Sequence, residues 1–246
     1  MIHEFDLADD FTWRTQYMSE DAERAGLVYE HFDATVSDDG STNVTSLAEY
    51  DRSLKVYWGV DEGWEHPSVC LLIQRRNDGT MVVFDEVYER HLEHDRFLDC
   101  VHQPRGPDGR SPESWFRAVS GQEPRGPYAK PRRVFPDPSS KQLQAAIARR
   151  LQSGARVRSH QTRVTDGVSL VRRYVRTNRG RRMLLIHPRC ENLIRELRSW
   201  RLHQVAPGVW DDEPEPNDGD RNPDHAADAL RYALIHLVQS RTIGAV

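Results

Sequence analysis

The sequence predicts an α/β fold in which a mixed central sheet is flanked by helices. Three segments with strand character lie at about 54–61, 68–75 and 80–88, and the hairpin turn Asn77-Asp-Gly79 joins the last two. Farther along the chain, segments of strand character alternate with segments of helical periodicity. An antiparallel triplet followed by alternating helices and strands indicates one layered α/β unit.

The first strand of the triplet ends at a carboxylate. From Leu54 to Val60, apolar residues occupy every second position, which is typical of a strand. Asp61 follows directly and is expected at the C-terminal tip of this strand. Taken alone, such an aspartate is more often a cap or turn residue.

The next part of the chain is less regular. A helix is expected near 91–101, followed by a Pro/Gly-rich loop from Gln103 to Pro131. A short helical candidate at Ser114 to Val119 interrupts this loop. Arg132-Arg-Val-Phe-Pro-Asp137 then repeats the strand-to-aspartate arrangement of the first strand. Asp137 precedes a helix expected at 139–152, in which apolar residues recur every four positions.

Beyond this helix, the net charge of -4 hides a strong segregation. Residues 1–50 contain twelve acids and two arginines, a net charge of -10, whereas residues 125–182 contain sixteen basic residues and two aspartates, a net charge of +14. The densest basic residues surround a turn expected between strands at Asn178-Arg-Gly180. We therefore expect a basic hairpin beside the carboxylates that binds phosphates and guides duplex DNA toward them. Its candidate DNA-binding residues are Arg172, Arg173, Arg176, Arg179, Arg181 and Arg182. The alternative is a solvated surface in an arginine-rich composition.

The last third of the chain is predicted to contain a strand at 183–187, a helix near 190–201, an acidic loop from Asp211 to Asp220 and a final helix. Pro223 suits the first position of that helix, and Asn222 can cap it. Asp224 and Asp228 are one helical turn apart and therefore share a face. For this motif alone, an ordinary amphipathic helix with an acidic first turn is the simpler interpretation.

Aspartates from two strand ends and one helix together favour a site for hard divalent cations. Mg²⁺ and Mn²⁺ prefer carboxylate oxygens, and a pair of them about 3.5 to 4 Å apart can catalyse phosphodiester hydrolysis. A zinc site fits less well, because Cys70, Cys100 and Cys190 show no paired spacing. His225 lies beside the acids, and its role as ligand neighbour, proton shuttle or surface residue stays open.

Over about residues 20–240, the chain resembles the RNase H-like nuclease domain of tailed-phage terminase large subunits. The matching segments are Gly26-Leu-Val-Tyr29, Val60-Asp61-Glu-Gly63 with Pro67, Val82-Val-Phe-Asp-Glu-Val-Tyr88, Phe135-Pro-Asp-Pro138, Met183-Leu-Leu-Ile-His-Pro-Arg-Cys190, Asn192-Leu-Ile-Arg-Glu-Leu197 and Asp224-His-Ala-Ala-Asp-Ala-Leu-Arg-Tyr232. The resemblance implies that Asp61, Asp137 and Asp228 bind two Mg²⁺ or Mn²⁺ ions. Asp224 is an adjacent metal candidate, and His225 an adjacent catalytic candidate.

The resemblance also implies a function and partners. We expect an endonuclease that cuts double-stranded concatemeric DNA with low sequence specificity. Its partners would be an ATPase motor domain, a small terminase subunit and a portal protein, in the host cell cytoplasm. The alternatives are an RNase H-like junction resolvase or transposase-type nuclease, and a non-catalytic module that grips DNA. RNase H-like sites often use a fourth acid, but Asp85 and Glu86 are not assigned to the site.

The resemblance bears on domain organisation as well. The chain contains no Gly-x-x-x-x-Gly-Lys-Ser/Thr phosphate loop, so cleavage is expected to need no ATP. We expect residues 1–50 to form an acidic lead-in from an ATPase domain that this chain lacks. Residues 51–246 would form the nuclease domain, with a basic insertion at about 154–182. A mean hydropathy of -0.74 and the absence of a long apolar run argue against a membrane-spanning helix.

Overall fold

The structure, a computed structural model, describes residues 25–101, 114–116, 125–151, 156–159, 162–216 and 222–239. The strands are β1 (Val36–Ser37), β2 (Val44–Thr45), β3 (Val56–Asp61), β4 (Ser68–Arg75), β5 (Met81–Glu89), β6 (Ser114–Phe116), β7 (Arg125–Tyr128), β8 (Arg133–Pro136), β9 (Arg156–Val157), β10 (Leu184–Ile186), β11 (Leu202–Ala206) and β12 (Val209–Pro214). The helices are α1 (His94–Val101), α2 (Lys141–Leu151), α3 (Val164–Val175), α4 (Glu191–Ser199) and α5 (His225–Gln239). Among the described residues, no helix has the length and apolar character needed to cross a membrane.

The central sheet has eight strands in the order β1-β2-β10-β5-β4-β3-β8-β9. β4 runs antiparallel to both of its neighbours, and every other neighbouring pair is parallel. The predicted triplet is therefore confirmed. The turn between β4 and β5 is also confirmed, because Gly79 has a φ of 95° that favours glycine.

Helices cover both faces of this sheet, and β4 shows the division clearly. Val69, Leu71 and Ile73 point into a core shared with α3, α4 and α5. Cys70 and Leu72, which alternate with them, point into a second core shared with α1 and α2. A strand that is buried on both faces loses the polar alternation of a half-exposed strand.

The close packing of α5 on β3 depends on one glycine. A Cβ atom at Gly59 would lie only 2.2 Å from the carbonyl oxygen of Ala229 in α5. Gly59 and Asp61 are two residues apart in β3, so both face α5. The missing side chain of Gly59 therefore lets α5 approach the strand end that carries Asp61.

Part of the predicted N-terminal lead-in belongs to this same unit. β1 and β2 extend the central sheet beyond β10, and Val28, Tyr29 and Phe32 are buried in the core beside α3 and α4. The interpretation of residues 25–50 as a lead-in outside the domain is therefore wrong. Residues 1–24 lie outside the described residues, so the rest of this division stays a prediction.

Two predicted local elements differ from the structure. The helical candidate at Ser114 to Val119 is wrong for 114–116, since β6 pairs antiparallel with β7. The prediction of an acidic loop from Asp211 to Asp220 is wrong for 211–214, since these residues belong to β12, which pairs antiparallel with β11. In both places pairing with a distant strand overrides the local pattern. Residues 117–119 and 217–220 lie outside the described residues.

The predicted basic hairpin is also wrong. Residues 164–175 form α3, and the turn at Gly180 connects this helix to β10 rather than joining two strands. Val168 and Val171 of α3 are fully buried against α5. Twelve residues of the predicted basic insertion therefore form a core helix.

The start of α5 differs from its prediction as well. Asn222 does not cap the helix, because its side chain accepts a hydrogen bond from the Arg201 backbone (3.2 Å) and donates one to the carbonyl of Glu215 (2.9 Å). The helix begins at His225, and the Asp228 amide donates to the Asp224 carbonyl (2.7 Å). Asp224 is therefore the residue that precedes the first turn.

Candidate functional site

Four predicted site residues come together at one edge of the sheet. Asp61 ends β3, and Asp137 directly follows the parallel neighbour β8. The Asp137 amide donates a hydrogen bond to the Val60 carbonyl (2.9 Å), which continues the strand pairing to the level of Asp61. The beginning of α5 brings Asp224 and Asp228 to the same edge. Strand pairing and helix packing thus assemble carboxylates that are far apart in the sequence.

The environment of Asp61 shows how closely these charges are gathered. The residue is 7% exposed, and burial raises its pKa well above the usual range. The negative charges of Asp228, Asp137 and Asp224 raise this pKa further. Three carboxylates from two other elements therefore act electrostatically on one buried carboxylate.

His225 lies against Asp61 in this arrangement. A hydrogen bond of 3.0 Å joins Nδ1 of His225 to Oδ2 of Asp61. The His225 ring also packs against the ring of His66, with centroids 5.0 Å apart. His225 is therefore a buried neighbour of an acid rather than a surface residue.

Asp228 is held by two residues from its own helix. Arg231 donates to both carboxylate oxygens, from Nε to Oδ1 (3.0 Å) and from a terminal nitrogen to Oδ2 (2.6 Å). The Tyr232 hydroxyl donates a longer bond to Oδ2 (3.3 Å). Because the Arg231 side chain is only 4% exposed, this ion pair is largely shielded from solvent.

A cleft of about 750 Å³ opens beside Asp137. The Asp137 carboxylate accepts hydrogen bonds from the backbone (2.8 Å) and hydroxyl (2.6 Å) of Ser139. In the same cleft lining, Glu62 bonds to His94 and to the Ser140 hydroxyl. The cleft wall therefore presents carboxylate, hydroxyl and imidazole groups beside Asp137, one of the four aspartates.

The donor set at this edge has the chemistry that a hard divalent cation requires. Carboxylate oxygens are the preferred ligands of Mg²⁺ and Mn²⁺, and a cation would relieve the repulsion that raises the pKa of Asp61. Within the described ranges, however, no three His, Cys, Asp or Glu side chains form a preformed metal-binding group. Asp228 is turned to Arg231 and Asp137 to Ser139, so binding would require these side chains to change partners.

Solved structures of terminases share this fold. The large terminase of the thermophilic bacteriophage D6E, in complex with ADP, matches with a TM-score of 0.56 and 20% identity over 87% of this chain and 45% of the D6E chain. The nuclease domain of the large terminase of bacteriophage SPP1, with bound Mn, matches with a TM-score of 0.52 and 16% identity. That match covers 85% of this chain and 97% of the SPP1 domain. The chain has the fold of a terminase nuclease domain.

The fold predicted from the sequence motifs is thereby confirmed as RNase H-like. The chain spans about 45% of the length of the D6E large terminase, and nearly all of the SPP1 nuclease domain is matched. No protein-family model and no curated protein sequence matches the chain.

The predicted DNA-binding arginines do not form a single surface beside the aspartates of this terminase nuclease fold. Arg172 donates to the Val28 carbonyl (2.7 Å) and Arg182 to the His31 carbonyl (2.5 Å), so both tie down the N-terminal segment. Arg181 lies 3.9 Å from Asp78 in the turn between β4 and β5. That turn lies at the sheet edge opposite Asp61. The prediction that Arg181 lies beside the carboxylates is therefore wrong. DNA binding by the exposed arginines stays a prediction.

Sequence reasoning missed two residues that contact Asp228 and two buried glutamates that hold neighbouring helix ends. Arg231 and Tyr232 follow Asp228 by three and four positions, a spacing that places them on its helix face and could have identified them. Glu196 and Glu86 gave no such signal, because their partners are distant in sequence. Glu86 faces α4 rather than the aspartates, where it accepts bonds from the Asn192 and Leu193 amides.

Proposed function

We propose that this chain is the nuclease domain of a viral DNA-packaging terminase large subunit. In this role it acts as a metal-dependent endonuclease on double-stranded concatemeric DNA, with low sequence specificity. The observation that carries the proposal is the convergence of four aspartates around Asp61, whose pKa rises with the charges of the other three. A divalent cation would offset the negative charge collected at this partly buried site.

Asp61, Asp137, Asp224 and Asp228 would hold two Mg²⁺ or Mn²⁺ ions. When bound, such ions polarise the phosphoryl oxygens and stabilise the attacking and leaving oxygens of phosphodiester hydrolysis. The bound Mn in the SPP1 nuclease domain supports this choice of metal. Among the four, Asp61 is the most buried and is fixed at the end of a central strand.

The neighbours of these acids would orient them. His225 holds one oxygen of Asp61 through a 3.0 Å hydrogen bond and leaves the other oxygen for a ligand role. Arg231 compensates the charge of Asp228 with two hydrogen bonds. We infer that Arg231 keeps Asp228 close to the site before metal binds, and that its bonds to Asp228 loosen on binding.

The substrate would approach through electrostatic attraction to arginines. Arg173, Arg176, Arg179 and Arg181 are exposed and are available for phosphate contacts. Low specificity is expected because phosphate contacts carry no sequence information. By resemblance, the partners of the domain would be an ATPase motor domain, a small terminase subunit and a portal protein.

Plasmid nicking tests this function directly. Supercoiled DNA is incubated with the protein in Mn²⁺, in Mg²⁺ and in EDTA, and nicked and linear products are quantified. Asp61→Asn, Asp137→Asn and Asp228→Asn each remove ligand charge at nearly constant size, so cleavage should fall by at least about a hundredfold while the circular dichroism spectrum is retained. Asp212→Asn, at an exposed position in β12, is the matched control and should cut normally.

Three outcomes would change the conclusion. Cleavage by Asp61→Asn at the wild-type rate would remove this residue from the site. A strong preference for four-way junctions over linear duplex would favour a junction resolvase. Duplex binding without cleavage in either metal would favour a module that grips DNA.

A further inference from the structure

The helix that carries His225 and Asp228 is capped by a carboxylate from another helix. Glu196 of α4 is fully buried, and its Oε2 accepts hydrogen bonds from the backbone amides of Ala226 (2.6 Å) and Ala227 (3.0 Å). These amides belong to the first turn of α5, whose donors have no partner within the helix. Glu196 thus supplies the cap that Asn222 does not.

The other oxygen of Glu196 is bonded as well. Oε1 accepts a hydrogen bond of 2.8 Å from the hydroxyl of Tyr88, at the end of β5. One carboxylate therefore joins three elements, namely β5, α4 and α5. The carboxylate also lies at the N-terminal end of α5, where the helix dipole favours an acceptor group.

The position of α4 is itself fixed by a second buried carboxylate. Oε1 of Glu86 in β5 accepts from the amide and side chain of Asn192 (both 2.8 Å), and Oε2 accepts from the Leu193 amide (3.0 Å). These donors lie in the first turn of α4. The central sheet therefore holds the start of α4, and α4 in turn holds the start of α5.

We propose that Glu196 is a positioning residue for the aspartate site, and this inference rests on the proposed nuclease function. The two amides that it binds lie directly between His225 and Asp228. Fixing them fixes the direction in which both side chains leave the helix, and so the 3.0 Å contact between His225 and Asp61. Without the cap, the first turn of α5 frays and the aspartates lose their common geometry.

The test compares Glu196→Ala, which removes all three bonds, with Glu196→Gln, which keeps an oxygen for the two amides. Glu191→Ala is the control for a surface change, because Glu191 is exposed in the same helix. Leu197→Ala is the control for lost stability, because Leu197 is buried in α4 but bonds to no group of α5 through its side chain. Three quantities are measured in each variant: amide hydrogen exchange at 226–228, Mn²⁺ affinity by calorimetry, and kcat and KM for nicking.

Glu196→Ala should speed exchange at Ala226 and Ala227 by about tenfold or more and weaken Mn²⁺ binding by about tenfold, as lost support of a metal ligand typically does. It should lower kcat more than KM. Glu196→Gln should restore most of the exchange protection and most of the Mn²⁺ affinity.

Two results would overturn the proposal. One is unchanged exchange at Ala226 and Ala227 in Glu196→Ala. The other is that Leu197→Ala, at the same thermal stability as Glu196→Ala, loses as much Mn²⁺ affinity as Glu196→Ala does. Glu196 would then have only a general structural role. If wild-type protein neither binds Mn²⁺ nor cuts DNA, the nuclease function fails instead, and the exchange data still decide whether Glu196 positions the start of α5.

Discussion

Gly59→Ala should disturb the site without touching any of its acids. The added Cβ would lie 2.2 Å from the Ala229 carbonyl oxygen, whereas Cβ atoms do not approach heavy atoms of other residues closer than 3.0 Å. Helix α5 must therefore move away from β3 by about 0.8 Å. The obstacle is backbone, so no side-chain rotation relieves it.

This displacement has two consequences. If α5 moves as a rigid body directly away from β3, the 3.0 Å contact between His225 and Asp61 lengthens by a similar amount and ceases to be a hydrogen bond. Forcing a methyl group into a packed interior also typically costs about 1 to 3 kcal/mol. We therefore expect a lower free energy of unfolding together with weaker Mn²⁺ binding and slower nicking.

Urea unfolding followed by circular dichroism measures the first effect, and the nicking assay measures the second. Gly208→Ala serves as the control, because Gly208 has a φ of 74° but no atom within 4 Å of the added Cβ. That variant should lose about 1 kcal/mol from backbone strain and keep full nicking activity. Wild-type stability and cleavage in Gly59→Ala would refute the role assigned to the close packing of α5 on β3.

Two further predictions concern charge. Changing the exposed Arg173, Arg176 and Arg179 together to Ala should weaken binding of unrelated duplexes alike. It should also flatten the plot of log affinity against log salt by about one unit per lost phosphate contact, whereas an unchanged slope would place DNA elsewhere. Burial raises the pKa of Glu196 to about 7, so the folded state binds this proton more tightly than the unfolded state, and the free energy of unfolding falls as pH rises from about 4.5 to about 7. In Glu196→Gln the difference in urea stability between about pH 5 and about pH 8 should therefore shrink, by up to about 3 kcal/mol, whereas a wild-type difference would contradict this assignment.

Much of the fold followed from local sequence patterns. The alternation before Asp61, the turn at Gly79 and the four-residue periodicity of Leu143, Ile147 and Leu151 each predict an element that the structure contains. These features depend on residues within a few positions of one another, so the sequence displays them directly. The same patterns indicated that Asp61 and Asp137 lie at strand ends.

Other features depended on contacts between distant residues. β12 is a strand because β11 pairs with it, and α3 is a core helix although its sequence suggested a basic hairpin. Asn222 resembles a helix cap by position, yet it bonds to Arg201 and Glu215 instead.

The sequence by itself determined which residue types are available for the proposed metal site, namely the aspartates at two strand ends and in one helix. Only the tertiary structure decided their arrangement: parallel pairing of β3 and β8 aligns Asp61 with Asp137, and Gly59 admits α5 with Asp228. It likewise assigned the cap of α5 to Glu196, about thirty residues away in the chain. The physical reason is that strand pairing, close packing and burial of charge act between elements, and no local pattern encodes which elements will meet.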